Sequence, residues 1–127
     1  MLNELSRVAH ENAVEKGFYE RKRDLPELAM LIITELSEAV EAERKGAKIE
    51  PHRQKWANEY NVDLDEWNID TFNGYHTDMR GTIEEEIADA FIRLLDLCGY
   101  YDINIDAWIT TKMKYNSMRP KKHGKVY

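Results

Sequence analysis

Apolar residues recur at helical spacing along most of this chain, and the stretches where they do so set out its elements. Leu2, Leu5, Ala9 and Ala13 share one face of a segment over residues 2–16, which Gly17 closes. A second helix is predicted to start near Asp24 and Pro26, residues suited to an N-cap and a first turn, and to stop at Gly46. Thr82 and Glu85 have the spacing of a capping box, and Ile83, Ile87, Phe91, Leu94 and Cys98 carry an apolar face from there to about Gly99. A last helix is predicted from about 104–106 to Arg119, where Pro120 blocks continuation.

Residues 47–81 break this pattern. Trp56, Tyr60, Trp67, Phe72 and Tyr75 stand among polar residues with no sustained period, and only short helices over about 52–60 and 64–68 are expected. No stretch alternates as a strand would. The expectation is an all-α helical bundle in a single domain over 1–127. It has four main helices, an irregular insertion at about 47–81 and a basic C-terminal tail from about 120.

Composition narrows the class. A chain of 127 residues with 33% charged residues suits one domain of amphipathic helices. Its longest apolar run, Leu28 to Ile33, is far too short to span a bilayer, so no membrane partner is expected. The N-terminal stretch carries charges throughout, unlike a secretory leader, and a cytoplasmic location is expected. A lone cysteine, Cys98, excludes an internal disulfide and a multi-cysteine metal site.

Charge is distributed unevenly. Residues 107–127 hold six Lys or Arg and no acid, whereas the other 106 residues hold 12 basic and 24 acidic ones. An acidic body disfavours nucleic-acid binding, while a basic tail suits phosphates.

The acids also fall where a core should be. On a helical wheel, Leu28 and Ala39 lie about 20–40° to one side of Glu35, and Leu31 and Ala42 a similar angle to the other. Glu35 therefore interrupts an apolar stripe, with Glu38 one turn on at its edge. Glu86 and Asp89 repeat the arrangement among Ile83, Ala90, Leu94 and Leu97. Two such pairs on the apolar sides of two helices would gather four carboxylates, which repel one another unless a cation neutralises them. Oxygen ligands alone point to Mg²⁺, with Mn²⁺ as a substitute. Glu41, Glu43, Glu84 and Asp96 read as surface charges, and Glu85 as a cap. The four histidines offer no Glu-x-x-His, so a di-iron carboxylate bundle is a poor match.

Three motifs in order carry a family resemblance: E-L-S-E at 35–38, E-I-A-D at 86–89 and K-M-K-Y-N-S-M-R-P at 112–120. Together they resemble the MazG-like all-α nucleoside triphosphate pyrophosphohydrolases, a superfamily with dimeric dUTPase and dCTP pyrophosphatase relatives. The resemblance covers about 24–46 and 82–124, not the middle segment. It implies Glu35, Glu38, Glu86 and Asp89 as magnesium ligands, and Lys112, Asn116 and Arg119 as phosphate contacts. Thr34 stands where many members carry a further acid.

The implied activity is Mg²⁺-dependent hydrolysis of a (deoxy)nucleoside triphosphate to the monophosphate and pyrophosphate. Glu38, with Glu35 beside it, is the candidate to take the proton of the attacking water. Lys112, Asn116 and Arg119 also fall on one helical face, at i, i+4 and i+7, with a planar guanidinium and a mobile ammonium suited to phosphate oxygens. His123 and Lys125 follow as possible tail contacts. Trp56, Tyr60, Trp67, Phe72, Tyr75 and His76 are candidates to border a base, although for any single aromatic the favoured reading is packing that pins 47–81 to the bundle. A bundle this thin is expected to be completed as a homodimer or homotetramer. The competing reading is a non-catalytic helical nucleotide-binding or assembly module with the same fold.

Overall fold

The structure, a computed structural model, describes residues 1–121, and every regular element among them is helical. The elements are α1 (Leu2–Glu15), α2 (Leu25–Arg44), α3 (Arg53–Tyr60), α4 (Ile69–Asp78), α5 (Ile83–Tyr100) and α6 (Ile105–Ser117), with one 3₁₀ turn at Leu64–Glu66. The all-α expectation holds, with no strand among the described residues. No helix among them is long and apolar enough to cross a membrane.

Local chemistry explains where the helices begin and end. The Asp24 carboxylate accepts the Glu27 N–H at 3.0 Å and caps α2, with Pro26 in its first turn. The Thr82 hydroxyl accepts the Glu85 N–H at 3.2 Å, and the Glu85 carboxylate accepts the N–H of Gly81 at 3.2 Å, one residue before the cap. Asn104 caps α6 through the Ala107 N–H at 3.2 Å. Gly46 ends α2 at φ +97°, and Ala47 N–H closes back onto Ala42 O at 3.0 Å.

α5 ends at Tyr100, next to the expected end near Gly99. One expectation needs correction. The segment 47–81 is more ordered than expected. α3 sits near its predicted place, but the second short helix lies at Ile69–Asp78 and only a 3₁₀ turn occupies 64–66. The Asn68 side chain starts α4 by accepting the Thr71 N–H at 3.0 Å. Among the described residues the four expected main helices are thus present as α1, α2, α5 and α6, with α3 and α4 as the two short ones.

The chain forms two compact units, residues 1–28 with 92–121, and residues 29–91. In the first, α1 packs on α6 and on the C-terminal part of α5. Asp106 accepts the Leu2 and Asn3 N–H groups at 3.1 and 2.9 Å, so α6 caps α1 from across the unit. A Cβ at Gly99 would lie 2.8 Å from Ser6 O and 2.6 Å from His10 Cβ, which is why α1 can cross α5 there. Ser6 Oγ donates to Leu95 O at 2.7 Å in the same crossing.

In the second unit, residues 29–44 of α2 and 83–91 of α5 accompany α3 and α4. Arg53 Nη1 and the Glu50 N–H both donate to Glu84, at 2.7 and 2.8 Å, and fasten the loop after α2 to α5. Tyr60 Oη donates to Asp78 Oδ2 at 2.8 Å, joining α3 to α4. Gly74 makes this possible, since a Cβ there would sit 2.8 Å from the Tyr60 hydroxyl. Met79, Ile83, Ala39 and Ala90 are buried, but no large side chain among the described residues is fully buried. Ile33, Leu36 and Val40, at i, i+3 and i+7 on α2, remain about half exposed.

Candidate metal centre

The acids that disturb two apolar stripes meet inside the second unit. Glu35 is only 7% exposed, among Leu31, Ala39 and the helix backbone, as its place on the wheel requires. One carboxylate oxygen from each of Glu35, Glu86 and Asp89 lies within 4.8 Å of the other two. Glu38, exposed at the edge of α2, is not one of this trio but stands near enough to Glu86 to raise its pKa. The three-residue spacing in both helices is what places the acids of each pair one turn apart.

Electrostatics follow from this crowding. Glu86 is pushed up to about 7, first by burial, then by the neighbouring Glu38 carboxyl and the charges of Asp89 and Glu35. The cluster therefore holds a proton near neutrality, on a group that in water would have lost it. Hard oxygen donors gathered this closely suit a small divalent cation. All four acids come from two rigid helices, which fixes their directions.

Around this cluster, Glu85 is fully engaged as a structural acid. Its Oε2 accepts from Tyr75 Oη at 2.7 Å, its Oε1 accepts the Gly81 N–H, and Arg80 Nη1 lies 3.5 Å away. Burial pushes the Tyr75 phenol well above its usual range, with the hydrogen bond and charge of Glu85 next, and then the charge of Asp89. Thr34 turns its hydroxyl onto Met30 O at 3.0 Å, within its own helix.

Two residues expected to be surface charges are not. Burial pushes Glu84 up, but hydrogen bonds from the Glu50 and Glu84 N–H groups and from Arg53 outweigh it and lower its pKa. Asp96 holds His10 Nδ1 at 2.8 Å and accepts from Tyr19 Oη at 2.8 Å in the first unit. A signal for Asp96 existed in the sequence. It lies seven residues after Asp89, on the same helical face, and not on the solvated side.

The predicted phosphate contacts lie in the first unit. Lys112 Nζ sits 4.7 Å from the centre of the Tyr115 ring, and the Arg119 guanidinium carbon 5.4 Å from it. Tyr115 thus gathers both cations, a role that sequence spacing did not suggest. Asn116 Oδ1 is buried without a hydrogen-bond partner among the described residues. α6 ends at Ser117, so Arg119 follows the helix and does not extend its face. His123 and Lys125 lie outside the described residues.

No protein-family model, curated protein or solved structure matches this chain.

Proposed function

We propose that this chain is a Mg²⁺-dependent nucleoside triphosphate pyrophosphohydrolase of MazG-like type, releasing a nucleoside monophosphate and pyrophosphate. The observation that supports it is the convergence of Glu35, Glu86 and Asp89, with Glu38 near Glu86 at the edge of α2. Carboxylate oxygens gathered this closely are the donor set that a small divalent cation takes.

In this reading Glu35, Glu86 and Asp89 hold the cation, and Glu38 completes the set from the exposed edge. When bound, Mg²⁺ supplies charge neutralisation for phosphate oxygens and a more acidic water. Glu38 is the acid best placed to take that water's proton, because it reaches solvent beside Glu86. Glu35, more deeply buried, orients the set and is the second catalytic candidate. Lys112, Asn116 and Arg119 enter by resemblance as phosphate contacts. The apolar faces left open in both units support a homo-oligomer.

The test is pyrophosphate release from each ribo- and deoxynucleoside triphosphate with Mg²⁺. Glu38→Ala and Asp89→Ala are expected to lose at least 100-fold in kcat/KM while their circular dichroism stays helical. Absence of turnover with every nucleotide would move the assignment to a non-catalytic nucleotide-binding or assembly module.

A further inference from the structure

The second unit holds a recess that the acids do not use. It is open to solvent, about 370 Å³ in volume, and walled by Tyr60 of α3, Trp67 after the 3₁₀ turn and Tyr75 of α4, with Asn58, Asn61 and Met79 around it. We propose that this recess binds the nucleobase of a nucleotide. The inference rests on the reading given under Proposed function and adds the substrate-recognition element to it. It falls in the segment that the motif resemblance does not cover.

The geometry of the walls carries the argument. The ring centres of Tyr60, Trp67 and Tyr75 are 5.8–6.1 Å apart, and their planes are inclined to one another by 47–79°. Three rings set at angles form a cup and not a flat stack, and each ring stays partly exposed. An isolated aromatic core would cover these rings. Here their outer faces line a shallow, solvent-open recess over which a planar base can lie, with Asn58 and Asn61 beside it able to donate and accept hydrogen bonds. Planar bases stack on aromatic side chains whatever their sequence, while amides choose among them by edge pattern.

Two further observations show that the cup is built and held. Tyr60 is fixed by its hydroxyl on Asp78, against a glycine whose missing Cβ leaves room for it. Tyr75 belongs to both places at once. Its ring lines the recess, and its hydroxyl is 2.7 Å from Glu85, the residue immediately before the cluster acid Glu86. A base in the recess therefore lies one tyrosine away from the helix turn that carries the acids, within the same unit.

The experiment follows the Trp67 indole N–H by NMR in protein with ¹⁵N-labelled tryptophan, free of divalent cations. Nucleoside 5′-monophosphates of each base are titrated in, with ribose 5-phosphate as the baseless control. A saturable shift of Trp67 with at least one nucleotide, absent with ribose 5-phosphate, is expected. Trp67→Leu, whose binding is read by isothermal titration calorimetry beside the wild type, should weaken that nucleotide's binding by at least tenfold. If Trp67 is indifferent to every nucleotide at millimolar concentration, or responds equally to ribose 5-phosphate, the proposal is overturned. Because this readout needs neither metal nor turnover, it separates the two readings. A shift without any pyrophosphate release removes the enzyme but keeps the base site; release with an indifferent Trp67 does the reverse.

Discussion

Glu86 of α5 faces Glu38 of α2, and after burial it is this neighbouring carboxyl that most raises the Glu86 pKa, so that Glu86 keeps a proton to higher pH. That proton makes the cluster's charge depend on pH in the physiological range. Glu86 titrates near 4.5 when unfolded and near 7 when folded, so between those values the folded chain binds more protons. Its contribution to stability is therefore fully present below about 4.5 and is lost as pH rises through about 7. Metal-free protein is expected to melt at lower temperature at pH 8 than at pH 5.5, and Glu86→Gln is expected to flatten that difference. Calorimetry across pH tests this, and an unchanged slope in the variant would remove Glu86 from the account.

A cation and this proton compete for the same oxygens. Millimolar Mg²⁺ is expected to raise the melting temperature at pH 8 and to do little at pH 5.5. Ligand linkage gives about 1.4 kcal/mol at ten times Kd. Asp89→Asn should abolish the Mg²⁺-dependent rise. A rise that survives it would place the ion elsewhere.

Gly99 is a packing glycine, and its substitution tests the crossing of α1 on α5. A methyl group there meets the Ser6 carbonyl, which belongs to backbone and cannot swing away. Gly99→Ala is expected to cost about 1–3 kcal/mol, as overpacking does. Urea denaturation measures it, and a neutral result would mean that the crossing yields at little cost.

Tyr115 holds Lys112 and Arg119 on its ring, and exposed cation–π contacts of this kind contribute about 0.5–1 kcal/mol each. If those cations receive phosphates, Arg119→Ala should raise KM for a nucleoside triphosphate by tenfold or more. Tyr115→Leu should give a smaller rise, and Tyr115→Phe almost none, because the ring and not the hydroxyl does the holding. Steady-state kinetics would show the order. Equal effects of Leu and Phe would deny the ring that role.

Ile33, Leu36 and Val40 form an exposed apolar row on α2. Light scattering after size exclusion is expected to give a mass above the 15.0 kDa of one chain, and Leu36→Glu to lower it. A wild-type mass of one chain would show that the row is not an interface between copies.

Much of the architecture was legible in the sequence because its signals are local. Asp24, Thr82 and Asn104 start helices through hydrogen bonds to residues three positions on, and Gly46 ends one through its own backbone angle. The register of Glu35 and Glu38, and of Glu86 and Asp89, followed from helical periodicity alone. Periodicity says which face a residue occupies. It does not say what stands opposite.

Only tertiary structure could decide that. Glu84 and Asp96 looked like surface charges until Arg53 and His10 arrived from segments far away in sequence. Gly99 marked the end of α5 to within a residue but not its second role, because a glycine near a helix end and a glycine that admits a neighbouring helix are the same residue type. α4 was missed because its stretch has no apolar period to announce it and its packing depends on Tyr60 of α3 lying against Gly74 and bonding Asp78. The sequence by itself determined which residues turn inward and where helices begin. The fold determined which inward residues meet, since charge pairing, close approach and a raised pKa all depend on distances between segments that the chain's order does not encode.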